Sequence, residues 1–210
     1  MHLLLTDRLS CPRCGPEFGL ILLADQMVER RVIAGSLGCP NCRDRYPVSS
    51  GFADLRPPPR PPLSEEKNMA GGARLEADPL TVAALLGIPG GPGNVLLGPG
   101  VAHLATGLSE LVEGIEWIVL SGSPVPLPPV GSMSPMSVRG RLPLYSRSIR
   151  GAVTVGGAGS VPLGEYARVV APMGRLVILA PPDDAAAAVA EAGLELVLDT
   201  AEAVVGGRKS

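Results

Sequence analysis

The chain has 210 residues, 46% of them apolar and only 3% aromatic, with a formal net charge of −2. That length fits one ordinary domain plus a small module, and the near-neutral charge argues against a generally nucleic-acid-like surface. No apolar run approaches the roughly 18 residues that a membrane span needs, and no charged-then-apolar leader opens the chain, so a cytoplasmic protein without membrane contact is expected.

All four cysteines fall within the first 42 residues, as Cys11-Pro-Arg-Cys14 and Cys39-Pro-Asn-Cys42. Each Cys-x-x-Cys closes a knuckle that turns two sulfurs to one side, and two knuckles supply the tetrahedral sulfur set that Zn2+ prefers. Cys11, Cys14, Cys39 and Cys42 are therefore the expected ligands of a structural zinc ion in a reducing compartment. Between the knuckles, Phe18–Asp25 and Glu29–Ser36 read as a hairpin, and Arg45–Phe52 as a third strand. A segment of about 55 residues buries little surface by itself, and zinc would add on the order of 10 kcal/mol of folding free energy.

The residues around the knuckles carry a resemblance. Leu9-Ser-Cys-Pro-Arg-Cys, Leu37-Gly-Cys-Pro-Asn-Cys and Tyr46-Pro-Val-Ser-Ser-Gly-Phe resemble the small zinc-ribbon proteins that activate tRNA and protein methyltransferases. Members of that family act by partner contact, so the resemblance implies docking to a protein partner rather than catalysis.

Five prolines within Pro57–Pro62 favour extended polyproline geometry, a semi-rigid spacer that opens a tether running from Arg56 to Gly72. Asp78-Pro79 then starts a helix in the order N-cap, proline at N1, and Gly87 closes it. Leu80, Ala83, Ala84 and Leu86 are expected on its buried side. From Asn94 the chain reads as a short apolar strand, a glycine turn at Gly98 and Gly100, and an amphipathic helix. Such a turn can present backbone N–H groups to a nucleotide-like ligand.

From Val95 onward the chain resembles a class I S-adenosylmethionine-dependent methyltransferase domain. Val95-Leu-Leu-Gly-Pro-Gly stands at strand 1 and Ile115–Leu120 at strand 2. Gly140-Arg-Leu-Pro-Leu followed by Ile149–Val155 resembles the run into strand 4. Tyr166–Ala180 is similar to the helix, turn and strand 5. Ala185–Ala192, Leu194–Leu198 and Ala203–Arg208 then read as a helix and the last two strands. The expected fold class is thus α/β: a shortened Rossmann-like methyltransferase sheet preceded by a small β zinc ribbon. The divisions are 1–55 for the ribbon, 56–75 for a Pro/Gly-rich linker and 76–210 for the methyltransferase-like domain.

The resemblance places cofactor contacts at Gly98, Gly100 and Ser121, but the acids the family uses are missing. Leu96 stands where an acid precedes the glycine turn, Ser121 where an acid takes the ribose diol, and Ala102 replaces a third glycine. No acidic residue occurs between Glu116 and Glu165. Ser121–Met136, rich in Pro, Gly and Ser, occupies the place of a crossover helix and cannot form a regular one. Losing a charge-assisted bidentate hydrogen bond costs about 1.5–3 kcal/mol, so two or three losses weaken a micromolar site to roughly millimolar.

Three readings follow, the last a nucleic-acid-binding module that needs only the ribbon and the arginines. In the first, the chain is a zinc-binding, methyltransferase-like protein that has lost catalysis and serves as an interaction or scaffold subunit. In the second, it is an active S-adenosylmethionine-dependent methyltransferase on RNA or protein, as in the rRNA methyltransferases with an N-terminal ribbon. The arginines Arg139, Arg141, Arg147 and Arg150 offer RNA phosphates a contact, although few aromatics accompany them. His103, in the first turn after the glycines, reads as a helix-surface histidine, and Trp117 as core.

Overall fold

Two dipeptides with left-handed backbone shape the N-terminal third. The structure, a computed structural model, describes residues 1–63, 74–122, 132–156 and 159–210. After a 3-10 turn at Leu3–Arg8, β1 (Ser10–Cys11) pairs with β2 (Gly15–Gly19) in a two-stranded antiparallel sheet. Then β3 (Ile21–Val28) and β4 (Arg31–Gly38) form a hairpin closed by Glu29 and Arg30, with φ of 47° and 63°. Two consecutive positive φ values match the right-handed twist of paired strands. The expected hairpin is therefore shifted: Glu29 is in the turn, not the strand. The expected third strand is divided in the same way. Ser50 and Gly51, at φ 50° and 78°, separate β5 (Arg45–Ser49) from β6 (Phe52–Asp54).

Helix α1 (Pro79–Leu86) starts and stops where expected. The Asp78 carboxylate accepts from the Leu80 and Thr81 amides, and Gly87 ends the helix at φ 65°. Its buried side differs, however: Val82 and Leu86 are buried and Leu80 is 63% exposed. Position 82, one turn before Leu86, sets the face. β7 (Gly93–Leu97) leads into a 3-10 segment, Pro99–Leu104, before α2 (Ala105–Leu111), so the expected helix is split. β8 (Ile115–Leu120), β9 (Met133–Ser137), β10 (Ile149–Val155), α3 (Leu163–Val169), β11 (Val170–Leu179), α4 (Ala185–Glu191), β12 (Glu195–Asp199) and β13 (Ala203–Gly207) follow.

Eleven strands lie in one sheet in the order β12-β13-β11-β10-β7-β8-β9-β6-β5-β4-β3. Its centre, from β11 to β6, is parallel, and both wings are antiparallel. This is a mixed α/β architecture compatible with a Rossmann-like fold. The near-continuous apolar runs of β7 and β8 suit strands covered on both faces. Seven strands, β7 to β13, make up the C-terminal part, so the expected shortening does not extend to its strands. Met133–Met136, expected within a helix-replacing loop, belongs to β9; residues 123–131 of that loop lie outside the described residues, as do 64–73 of the expected linker.

The cysteine-bearing module joins this sheet directly. β6 runs parallel to β9, with Ala53 opposite Met136 and Asp54 opposite Ser137. One buried apolar cluster continues from Leu5, Leu37 and Tyr46 through Leu55, Met136 and Leu144 to Tyr166 and Ile178. A second, on the other face of the sheet, gathers Val82, Leu97, Leu108 and Trp117. The described part of the tether is pinned too. Arg139 Nη2 donates to the Pro57 and Pro59 carbonyls, and the buried Arg56 donates to Pro61 O and Asp54. No helix among the described residues is long and apolar enough to cross a membrane.

Candidate metal centre and ligand cleft

The knuckles bring the four sulfurs together without disulfides. All four Sγ atoms lie within 4.8 Å of one another. Cys11 and Cys42 are 3.7 Å apart and Cys14 and Cys39 3.8 Å. A tetrahedron with metal–sulfur bonds of about 2.3 Å has edges of roughly 3.8 Å, so these two edges already have the length that a shared metal ion requires. The Cys14 amide donates to Cys11 Sγ at 3.4 Å and Asn41 Nδ2 to Cys14 Sγ at 3.3 Å. These N–H groups orient the ligands, as outer contacts of metal sites do. Beside the cluster, Arg13 pairs with Asp44 at 3.1 Å, and the Tyr46 hydroxyl lies 3.6 Å from Cys11 Sγ.

The surroundings of Cys11 favour its thiolate. Burial pushes the Cys11 thiol up, but the Cys14 N–H, the Tyr46 hydroxyl and the Arg13 N–H outweigh it and bring it down to about 7. Burial, above all, pushes Cys39 and Cys42 up. Sulfur ligands bind as thiolates, so a metal cation must displace the remaining protons.

A cleft of about 80 Å³ opens at the carboxyl ends of the central strands. Strand order reverses direction beside β7, between β8 on one side and β10 on the other, the place where open α/β sheets receive ligands. Leu120 and Ser121 leave β8 there, and Ser137, Val138 and Arg139 close β9. Pro99, Ser160, Val161 and Tyr166 complete the wall. Tyr166 is 1% exposed, and its hydroxyl has no hydrogen-bond partner.

Of the three expected cofactor contacts, the structure brings only Ser121 into the cleft wall. Gly98 lies alongside, but its N–H donates to Val153 O at 2.8 Å and so is spent within the sheet. A Cβ on Gly98 would stand 3.1 Å from both Thr154 Oγ1 and Tyr166 Oη; glycine here permits close packing at an ordinary negative φ of −68°. Gly100 is buried, and its carbonyl accepts the Leu75 amide. His103 sits in the 3-10 segment, not on a regular helix surface, with Nε2 buried and unpartnered. Burial mainly lowers its basicity.

The described lining residues do not suit S-adenosylmethionine. Sites for ligands of that size occupy about 300 Å³ or more, and no carboxylate is among the described lining residues. The acid opposite Ser137 in the ladder, Asp54, has its oxygens taken by Arg56 Nε and Nη2.

Of the four arginines expected to form one basic cluster, Arg139 and Arg141 are bridge partners, but Arg150 is far from them. Arg139 follows the carboxyl end of β9, whereas Arg150 sits at the amino end of β10 and donates to Gly90 O and Pro92 O. Arg147 occupies a left-handed turn. Arg141 packs against Gly15, where a Cβ would come within 2.8 Å of Nη1. A sequence window without acids does not place its bases on one face when a strand length intervenes.

Charges that sequence reasoning passed over fasten the module to the sheet. Arg31 grips Glu116 with both terminal nitrogens and also donates to Met133 O. Glu165 accepts from Arg168 and from the Leu142 amide, while Arg168 donates to the carbonyls of Leu142 and Leu144. That clamped segment in turn meets the module through Ser10 N to Pro143 O and Tyr145 N to Arg8 O. The available signal was Glu116 itself, an acid inside an apolar strand, which requires a partner when buried.

No protein-family profile and no curated protein matches this chain. Among solved structures it is similar to a complex between the Haloferax volcanii Trm112 methyltransferase activator and a protein described as its methyltransferase. The identity is 19% and the TM-score 0.36, over 55% of this chain and 54% of that one. The chain thus spans about half the length of the solved chain it matches.

Proposed function

We propose that this chain is a zinc-stapled, methyltransferase-like protein that has lost catalysis and works as an interaction or scaffold subunit. The observation that supports this reading is the cleft at the sheet's switch point, of about 80 Å³ and with no carboxylate among its described lining residues. Each strand that the methyltransferase resemblance predicts is present, so the loss concerns the site and not the scaffold.

The four thiolates suit Zn2+, whose charge and tetrahedral preference they match, and a closed sulfur set leaves no position for a reacting ligand. A reducing cytosol is the compartment that preserves such a centre. In this reading, the partner contact typical of activator ribbons is made within the chain, where β6 extends the sheet at β9. The free edge strand β3 exposes Ile21, Leu23, Met27 and Val28, a surface of the kind that protein partners cover. The separation of Arg150 from Arg139 and Arg141 counts against RNA.

Zinc-loaded protein incubated with methyl-labelled donor and bulk RNA or protein acceptors tests the reading, which expects no incorporation. Labelled acceptor above a no-protein control would establish the alternative, an active methyltransferase. What favours that alternative is the cleft's position at the switch point.

A further inference from the structure

We propose that the cleft beside β8 and β9 binds a small carboxylate with a short apolar body, anchored by the Tyr166 hydroxyl. This goes beyond the loss of the methyl donor: the cleft has another occupant.

The first observation is the hydroxyl itself. Tyr166 is 1% exposed, lines the cleft, and leaves its Oη without a partner. Buried hydroxyls in folded proteins nearly always have a partner, and an unmade bond costs about 1–3 kcal/mol. The neighbouring Thr154 hydroxyl favours the phenolate, against the larger effect of burial, but makes no hydrogen bond of acceptable geometry with it. A phenol in this setting is a neutral donor, because burial pushes its ionisation above the usual tyrosine range.

The second observation is the wall. Leu120, Val138 and Val161 give apolar surface for a short alkyl body, and the hydroxyl-bearing Ser137 and Ser160 stand between them. Arg139 closes the rim, its guanidinium fixed by the carbonyls of Pro57 and Pro59. No carboxylate is among the described lining residues, so an anion meets no like charge and a cation finds no countercharge. The third is size. About 80 Å³ admits a few heavy atoms and excludes a nucleoside.

The test is an amide NMR titration of the intact, zinc-loaded chain with sodium butyrate, with sodium chloride at equal ionic strength and inorganic phosphate as the other arms. The expected result is saturable shifts at Ser121 and Ser137 with a Kd of about 1 mM. Tyr166→Phe should retain the fold, since no intramolecular bond is lost, and weaken butyrate about tenfold. Val161→Asp, on the half-buried wall, should abolish binding by bringing a like charge into the cleft, and it keeps the test valid if Tyr166→Phe fails to fold. Shifts that never saturate, shifts that chloride reproduces, tighter binding of phosphate than of butyrate, or unchanged affinity in both variants would each overturn the proposal. S-adenosylmethionine added to a separate sample tests the loss of catalysis independently of the butyrate result.

Discussion

Arg31 and Glu116 are joined fork to fork, Nη1 to Oε1 at 2.5 Å and Nη2 to Oε2 at 2.8 Å, although β4 and β8 stand four places apart in the sheet. Four flat steps of about 4.8 Å would separate those strands by about 19 Å, so the antiparallel wing curls back over the amino ends of the parallel strands. The pair closes that curl, with Ser134 Oγ donating to the same carboxylate and the His2 amide donating to Ser134. Glu116→Gln should lower stability by about 1–3 kcal/mol, because it weakens a charge-assisted pair that is mostly buried. Denaturant melts of Glu116→Gln, Arg31→Met and the double variant check this. The double variant should lose less than the sum of the singles; strict additivity would show that the two groups do not interact.

The metal centre should govern the whole chain, not the module alone. Because one apolar cluster and one sheet run through both parts, chelation or Cys39→Ser should lower the melting temperature of a single transition. Metal analysis should return one zinc per chain. Two separated transitions, with the second unmoved by chelator, would show that the parts unfold independently.

Acid should weaken the clamp between α3 and the 142–145 segment. Burial raises the Glu165 carboxyl, but hydrogen bonds from Arg168 and the Leu142 N–H, with the charges of Arg168 and Arg141, bring it below its ordinary value of 4.5. A carboxyl depressed on folding stabilises at pH above its unfolded value, and that contribution disappears as pH falls below about 4.5 through the folded value. Melts between pH 7 and pH 3 should show Glu165→Gln less stable than the natural chain at pH 7, with the gap narrowing in acid. A gap independent of pH would contradict the assignment.

Gly98 is expected to matter through packing. Gly98→Ala places a methyl 3.1 Å from the Tyr166 and Thr154 oxygens, a crowding that should cost about 1–3 kcal/mol. Adding Tyr166→Phe removes one of those oxygens and should restore part of the loss in a thermal melt. No restoration would place the strain elsewhere.

How far the sequence alone could be read depends on the range of the interaction in question. The α1 boundaries followed from Asp78, Pro79 and Gly87, because a cap acts within a single turn. The metal set followed from two tripeptide spacings, and the central strands from apolar runs that only a doubly covered sheet accommodates. Position-specific features escaped the sequence where the deciding partner was distant along the chain. Gly98 looked ready for a ligand, yet its N–H is taken by Val153, 55 positions on. Arg139 and Arg150 are close in sequence, but they lie at opposite ends of parallel strands. Glu29 reads as strand by composition, whereas two successive positive φ values make it a turn. Tyr166, whose buried hydroxyl in the cleft has no hydrogen-bond partner, carried no local signal.

The most direct test of the account is calorimetric titration of S-adenosylmethionine into the zinc-loaded chain at neutral pH. The account predicts no heat of binding, or a Kd weaker than about 1 mM, as befits a cleft with no carboxylate among its described lining residues. Stoichiometric binding tighter than about 50 μM would contradict it, and would return the chain to the working methyltransferases.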